Sequence, residues 1–142
     1  MMQKTVLQAE KQFDIRFSEV DSMGIVWHGS YVAYLEDARE AFGAKYHLEY
    51  LYMFDKGFYA PLVEMNMKYR HPLKYQDKAK VVITYRDTDA AKLVFDYEIY
   101  NLTDHVLALT ATTVQAFLNT DRQLMWTLPD FITEWKKMNG LL

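Results

Sequence analysis

An α+β fold, one helix laid across a curved antiparallel sheet of five strands, is what this 142-residue sequence predicts. The first observation behind it is a change of hydrophobic period near Ser30. Residues 11–17 alternate apolar and polar, as a half-buried strand does. Tyr31, Tyr34, Leu35, Ala38, Ala41 and Phe42 instead recur every three or four residues, as a helix face does. The second is a succession of four strand-like stretches after residue 57. The third is that short, polar turns separate those stretches, which argues for antiparallel pairing.

Taken in order, residues 11–17 predict the first strand. Residues 18–29 break its alternation with Ser, Asp and Gly, and read as a loop. The helix starts at about Ser30, a candidate N-cap, and places Glu36, Asp37, Arg39 and Glu40 on its polar face. Residues 48–57 form an aromatic connection with room for one further helical turn. Strands are expected at residues 58–70, 79–86, 92–100 and 105–118. In the first of these, Val63, Met65, Met67 and Tyr69 share one face. Short connections predict that each of the four lies beside the next. Residues 129–138 read as a short helix with Pro129 in its first turn. Residues 1–142 read as one domain, without repeat or linker.

Composition removes several classes of function. Net charge is −3 without a long basic run, which disfavours nucleic acid as a partner. With no cysteine there is no disulfide, thiol nucleophile or cysteine zinc site. His28, His47, His71 and His105 show no metal-ligand spacing, so no metal is expected. The first ten residues read as neither signal peptide nor membrane span, and a cytoplasmic protein is expected. One helix is short for covering five strands. An uncovered sheet edge and an aromatic content of 15% point to self-association, with two sheets joined edge to edge.

Chemistry concentrates in residues 21–29. By itself Asp21-Ser22-Met23-Gly24 is a turn, since Asp readily bonds its own backbone. The run Gly24, Ile25, Val26 and Trp27 is apolar for a loop, and it leads into a helix start near His28. A carboxylate beside an apolar wall and free helical amides has the parts for oxyanion chemistry.

Residues 16–39, RFSEVDSMGIVWHGSYVAYLEDAR, resemble the signature of the 4-hydroxybenzoyl-CoA thioesterase family, of hotdog fold, and its Tol–Pal-associated acyl-CoA thioesterase group. The pattern is Asp, two small residues, Gly, two apolar residues, an aromatic, His or Tyr, then a helix carrying an acidic residue and Ala-Arg. The likeness continues through residues 67–77 (MKYRHPLKYQD) and 93–99 (LVFDYEI), and spans roughly residues 11–137. It implies hydrolysis of an acyl-CoA thioester, with CoA as part of the substrate and no separate cofactor. Asp21 falls on the family's catalytic carboxylate, as general base or as nucleophile. The resemblance implies that the backbone amide near His28 polarises the thioester carbonyl, and that the His28 side chain lines the pocket with Gly24, Ile25, Val26, Trp27 and Tyr31. Two departures stand out. Glu19 sits where relatives carry an acidic residue two before the catalytic Asp. Ala91-Lys92 stands where relatives carry Ser or Thr, so Lys92 is expected to supply charge for a CoA phosphate. Glu36 and Glu40 read as a solvated helix face. Two other readings remain: a hotdog hydratase or dehydratase acting on an enoyl-CoA, and an acyl-CoA-binding module without catalysis.

Overall fold

The computed structural model describes residues 5–142. In chain order the elements are β1 (Gln8–Asp14), α1 (Tyr31–Tyr46), α2 (Tyr50–Asp55), β2 (Phe58–Tyr59), β3 (Leu62–Tyr69), β4 (Lys78–Arg86), β5 (Lys92–Asn101), β6 (Val106–Ala116), β7 (Leu118–Asn119) and α3 (Asp130–Met138). Two single-turn 3-10 segments, Phe17–Glu19 and His28–Ser30, flank the loop before α1. Five strands form one antiparallel sheet in the order β1-β4-β5-β6-β3, while β2 and β7 pair separately. This is the expected α+β hotdog arrangement, a long helix against a five-stranded sheet with a short C-terminal helix.

The alternation seen in sequence becomes the two faces of the sheet. Val81 and Ile83 of β4, Phe95 and Ile99 of β5, and Leu109 of β6 are buried under α1 and its neighbours. From α1 come Tyr34, Leu35, Ala38 and Phe42, all buried, with the Phe42 ring 5.0 Å edge-on to Phe95. Burying one such ring contributes about 2–3 kcal/mol. The opposite face is polar: Arg86 pairs with Asp96, and Thr112 Oγ1 donates to Asp96 Oδ1 at 2.8 Å. No helix among the described residues covers it.

Several local expectations change. The first strand lies three residues earlier than residues 11–17, and Phe17 leaves it for the 3-10 turn, 75% exposed. Residues 58–70 split at Ala60-Pro61. Proline has no N–H for a ladder, and Pro61 contributes only its carbonyl, to Ala116 N at 3.0 Å. β6 ends at Ala116 for the matching reason: Phe117 turns fully into the core and the chain leaves to form β7. Ser30 does not cap α1 with its side chain. Its hydroxyl donates to Glu19 O at 3.0 Å. Pro129 sits at the N-cap of α3 rather than inside it.

The larger correction concerns β3, which pairs with β6 and not with its sequence neighbour β4. Residues 70–77 are short enough for a hairpin but are held across the end of the sheet. Arg70 N and His71 N both donate to Ala108 O, and Leu73 is fully buried. The buried Asp77 carboxylate accepts from Lys74 N at 2.9 Å and Asn101 Nδ2 at 3.0 Å. These anchors carry the chain past β6 and β5, so β3 keeps one edge unpaired. This crossing segment also forms the wall against which the Asp21 loop rests.

At the other end α3 closes the core. Trp135 is fully buried and its Nε1 donates to Tyr46 O at 2.7 Å. Lys136 is only 1% exposed. Its ammonium donates to Thr88 O at 2.7 Å and pairs with Asp87 at 2.8 Å.

Candidate active site

The turn at Asp21 is built by its own backbone and side chain. Asp21 N donates to Ile25 O at 2.8 Å, and Gly24 N returns to Asp21 O at 3.0 Å. Gly24 sits at φ +76, where an L side chain is strained, with nothing within 4 Å of a would-be Cβ. Glycine is used here for its backbone freedom alone. Asp21 Oδ1 accepts from Met23 N at 2.8 Å. Among the described residues no other group bonds the carboxylate, so Oδ2 is open to a water or a substrate, and the residue is half-buried.

Three further bonds fix the loop against the body. Val26 N donates to Leu73 O at 2.8 Å, Tyr75 N donates to Gly24 O at 3.0 Å, and Ile25 bridges Lys74. Val26 is buried, whereas Trp27 and His28 face solvent. The Trp27 and His28 rings lie 4.8 Å apart. Gly29 accepts the Trp27 ring directly over itself: a Cβ there would stand 2.1 Å from Trp27 Cζ3. Tyr31 is buried behind the loop, its ring 5.2 Å from Tyr69, and the Tyr69 hydroxyl donates to His28 O at 3.0 Å.

Glu19 ties both ends of the loop together. Its carbonyl accepts from Trp27 N at 2.9 Å and from Ser30 Oγ at 3.0 Å, and its carboxylate accepts from Arg16 N at 2.7 Å. Tyr34 packs nearby. Its hydroxyl is buried without a hydrogen-bond partner among the described residues, and burial together with the Glu19 charge pushes its pKa well above the usual tyrosine value. The amides of His28 and Gly29 open the turn into α1 and donate to no carbonyl among the described residues. The loop thus carries a carboxylate with a free oxygen near its tip, at Asp21, and at its end two N–H groups without carbonyl partners that lead into the 16-residue α1, the kind of helix start that stabilises an anion.

Asp21, Gly24, Ile25, Val26, Trp27 and His28 are thus brought into one loop, with Tyr31 behind it. Lys92 is not brought there within one chain. It opens β5 opposite Ala116, whereas Ile99 lies level with Tyr69 across β6. Seven residues of strand, roughly 23 Å, separate the two levels. Sequence reasoning passed over Glu19, Tyr69 and Leu73 as holders of the loop. The run at residues 67–77 pointed to Tyr69 and Leu73 without giving a role. His71 pairs with Asp104 at 3.0 Å, while His47 and His105 occupy turns at positive φ.

One long helix laid against an antiparallel sheet of this strand order is the hotdog fold. Residues 15–136 match the thioesterase-like superfamily, and the chain belongs to it; it is a thioester hydrolase. It is 31% identical over 133 residues to the "Putative acyl-CoA thioesterase YneP" of Bacillus subtilis (strain 168), covering 91% of this chain and 96% of that one. It is 23% identical over 127 residues to the 1,4-dihydroxy-2-naphthoyl-CoA hydrolase of Thermosynechococcus vestitus, covering 89% and 86%. The solved DHNA-CoA thioesterase from Staphylococcus aureus superposes with a TM-score of 0.80 at 26% identity, covering 94% and 92%.

Proposed function

We propose that this protein hydrolyses acyl-CoA thioesters to a carboxylate and free CoA, with Asp21 as the reacting carboxylate. The observation that carries this reading is the free Oδ2 of Asp21 on the loop that ends in the unpaired His28 and Gly29 amides. Asp21 takes a proton from a water as that water adds to the thioester carbonyl. The alternative course is direct addition of Asp21 to give a mixed anhydride, which water then opens. In either course the carbonyl oxygen gains negative charge in the transition state. The His28 and Gly29 amides, backed by the α1 dipole, stabilise that charge. Collapse then expels the CoA thiolate. Gly24, Ile25, Val26, Trp27 and Tyr31 wall the reacting centre, and the His28 imidazole borders it.

The same reading includes an assembly. The unpaired edge of β3 exposes Leu62, Val63 and Tyr69, a surface suited to joining two sheets edge to edge in a homodimer that further pairs into a homotetramer. Across such a joint a partner's Lys92 is the candidate for a CoA phosphate. The motif at residues 16–39 supports placement beside the 4-hydroxybenzoyl-CoA and Tol–Pal-associated groups. No helix among the described residues is long and apolar enough to cross a membrane, and a cytoplasmic location is proposed. Thiol release from an acyl-CoA panel, followed with a disulfide reagent, tests the activity. Hydration of an enoyl-CoA without thiol release would overturn it.

A further inference from the structure

A cavity of about 630 Å³ opens where α1 leaves the inner face of the sheet uncovered, between α1, α2 and β3. Its volume lies in the range of roughly 300–1,000 Å³ typical of small-molecule sites. It begins at Leu35, one turn beyond Tyr31, and runs along α1 to Ala44. Nine residues of helix make it about 13 Å long. It therefore starts one helical turn from Tyr31, the residue behind the Asp21 loop, and leads away from that loop, none of whose residues lines it.

The lining decides what fits. Leu35, Met53, Ala60 and Met65 make the walls apolar. The polar groups of the floor are already engaged with one another. Tyr97 and Thr113 share a hydrogen bond of 2.9 Å, and Arg39 Nε donates to Gln115 Oε1 at 3.0 Å. Gln115 Nε2 in turn donates to Ala60 O at 2.7 Å, and Arg39 also donates to Leu48 O at 3.2 Å while stacking on Phe95 at 4.8 Å. Glu36, Glu40 and Glu49 stand around the same cavity as the lone Arg39, giving it an acidic balance. An occupant carrying a carboxylate would meet three like charges against a single cation, Arg39, whose Nε and Nη1 already donate to Gln115 and Leu48 O. A single aromatic ring system would leave a channel of about 13 Å largely unfilled, losing dispersion contacts along its walls.

We propose that this cavity is the acyl chamber and that it selects uncharged aliphatic acyl chains of medium length over aryl and ω-carboxylated ones. This rests on the acyl-CoA reading above and names its substrate class. Met65 and Leu35 grip the carbons nearest the thioester, and Ala44 bounds the far end of the channel. Each added methylene that enters the chamber raises kcat/KM about fourfold, the ordinary yield of burying one CH2.

The experiment pairs turnover with binding. Thiol release is measured for butyryl-, octanoyl-, dodecanoyl-, suberoyl- and benzoyl-CoA, with wild type and Ala44→Trp. Ala44 is exposed on α1, so the indole is accommodated without rebuilding the core. In parallel, the affinity of S-dodecyl-CoA, a thioether that cannot be hydrolysed, is measured for both proteins. The expected result is a rise from butyryl to dodecanoyl, octanoyl at least tenfold above suberoyl and benzoyl, and a dodecanoyl-to-butyryl ratio cut about tenfold by Ala44→Trp. S-dodecyl-CoA binding weakens to the same extent. A preference for benzoyl or suberoyl, or a chain-length profile that Ala44→Trp does not move, overturns the chamber while leaving thioester hydrolysis standing. If no acyl-CoA is hydrolysed, the hydrolase reading fails. The chamber is then judged on S-dodecyl-CoA alone: binding weakened by Ala44→Trp upholds it, and absence of binding overturns it.

Discussion

Replacing Gly24 separates backbone freedom from every other contribution to the Asp21 loop. Its φ is +76 and a Cβ there meets nothing within 4 Å, so no clash accompanies a larger residue. The cost of Gly24→Ala is then the left-handed strain of one L residue, about 1–2 kcal/mol. For a domain of this size that lowers Tm by roughly 3–8 °C. Gly24→Asn should cost less than half as much, because asparagine visits this region readily. Activity falls in the same order. Relief of the strain would rotate the turn that holds Asp21 Oδ1 on Met23 N, and a loss of about 1.4 kcal/mol in transition-state binding is tenfold in rate. Thermal melting and kcat/KM on one acyl-CoA, measured for wild type, Ala and Asn, check both orders. If Ala and Asn are equal to each other, or both match wild type, the turn does not depend on left-handed backbone at Gly24 and the reasoning is refuted.

Other outcomes rest on the same geometry. Asp87→Ala leaves the Lys136 ammonium buried with only Thr88 O and should cost about 3 kcal/mol. Lys136→Met leaves a carboxylate that water can reach and should cost about 1 kcal/mol; urea unfolding gives both values. Gly29→Ala drives the Trp27 ring off the helix start, expected as a changed tryptophan emission together with about a tenfold fall in kcat/KM. Above about pH 10, the ordinary tyrosine value, the fold should lose stability. Burial, with the nearby charges of Glu19 and Asp87 respectively, raises Tyr34 and Tyr85 above the unfolded tyrosine value. The unfolded chain therefore releases those protons first, and stability present below that pH declines as pH rises. Arg39, held down to about 10 by burial, acts in the opposite sense, but it is one group against five tyrosines, since Tyr31, Tyr97 and Tyr100 are raised as well. Tyr34→Phe and Tyr85→Phe should each flatten the alkaline fall in Tm.

Much of this arrangement was legible because it rests on periodicity. The 3.6-residue recurrence from Tyr31 to Phe42 placed α1, and the odd-numbered positions of β5 placed the buried face. Those signals report local burial and carry no information on long-range partners. Nothing in residues 70–77 distinguished a hairpin from a crossing held by Leu73 and Asp77, so the pairing of β3 with β6 was missed. Pro61 did mark a break, but the alternation around it is continuous enough to hide it. At the site, Asp21 and Gly24 were legible through turn chemistry. Glu19 was not, because its role lies in a main-chain carbonyl that any residue carries. Arg39 read as part of a solvated helix face and nothing marked Lys136 for burial, since the surfaces that bury them come from elements distant in sequence.

The central claim is that the Asp21 carboxylate reacts. It is tested most directly by kcat for hydrolysis of a good acyl-CoA with Asp21→Asn, an isosteric change whose amide oxygen can still accept from Met23 N. A reacting carboxylate predicts a fall of about 10²–10⁴-fold with Tm unchanged within a few degrees. Activity within about threefold of wild type in a folded Asp21→Asn protein, where loss of a general base should cost at least a hundredfold, would contradict it.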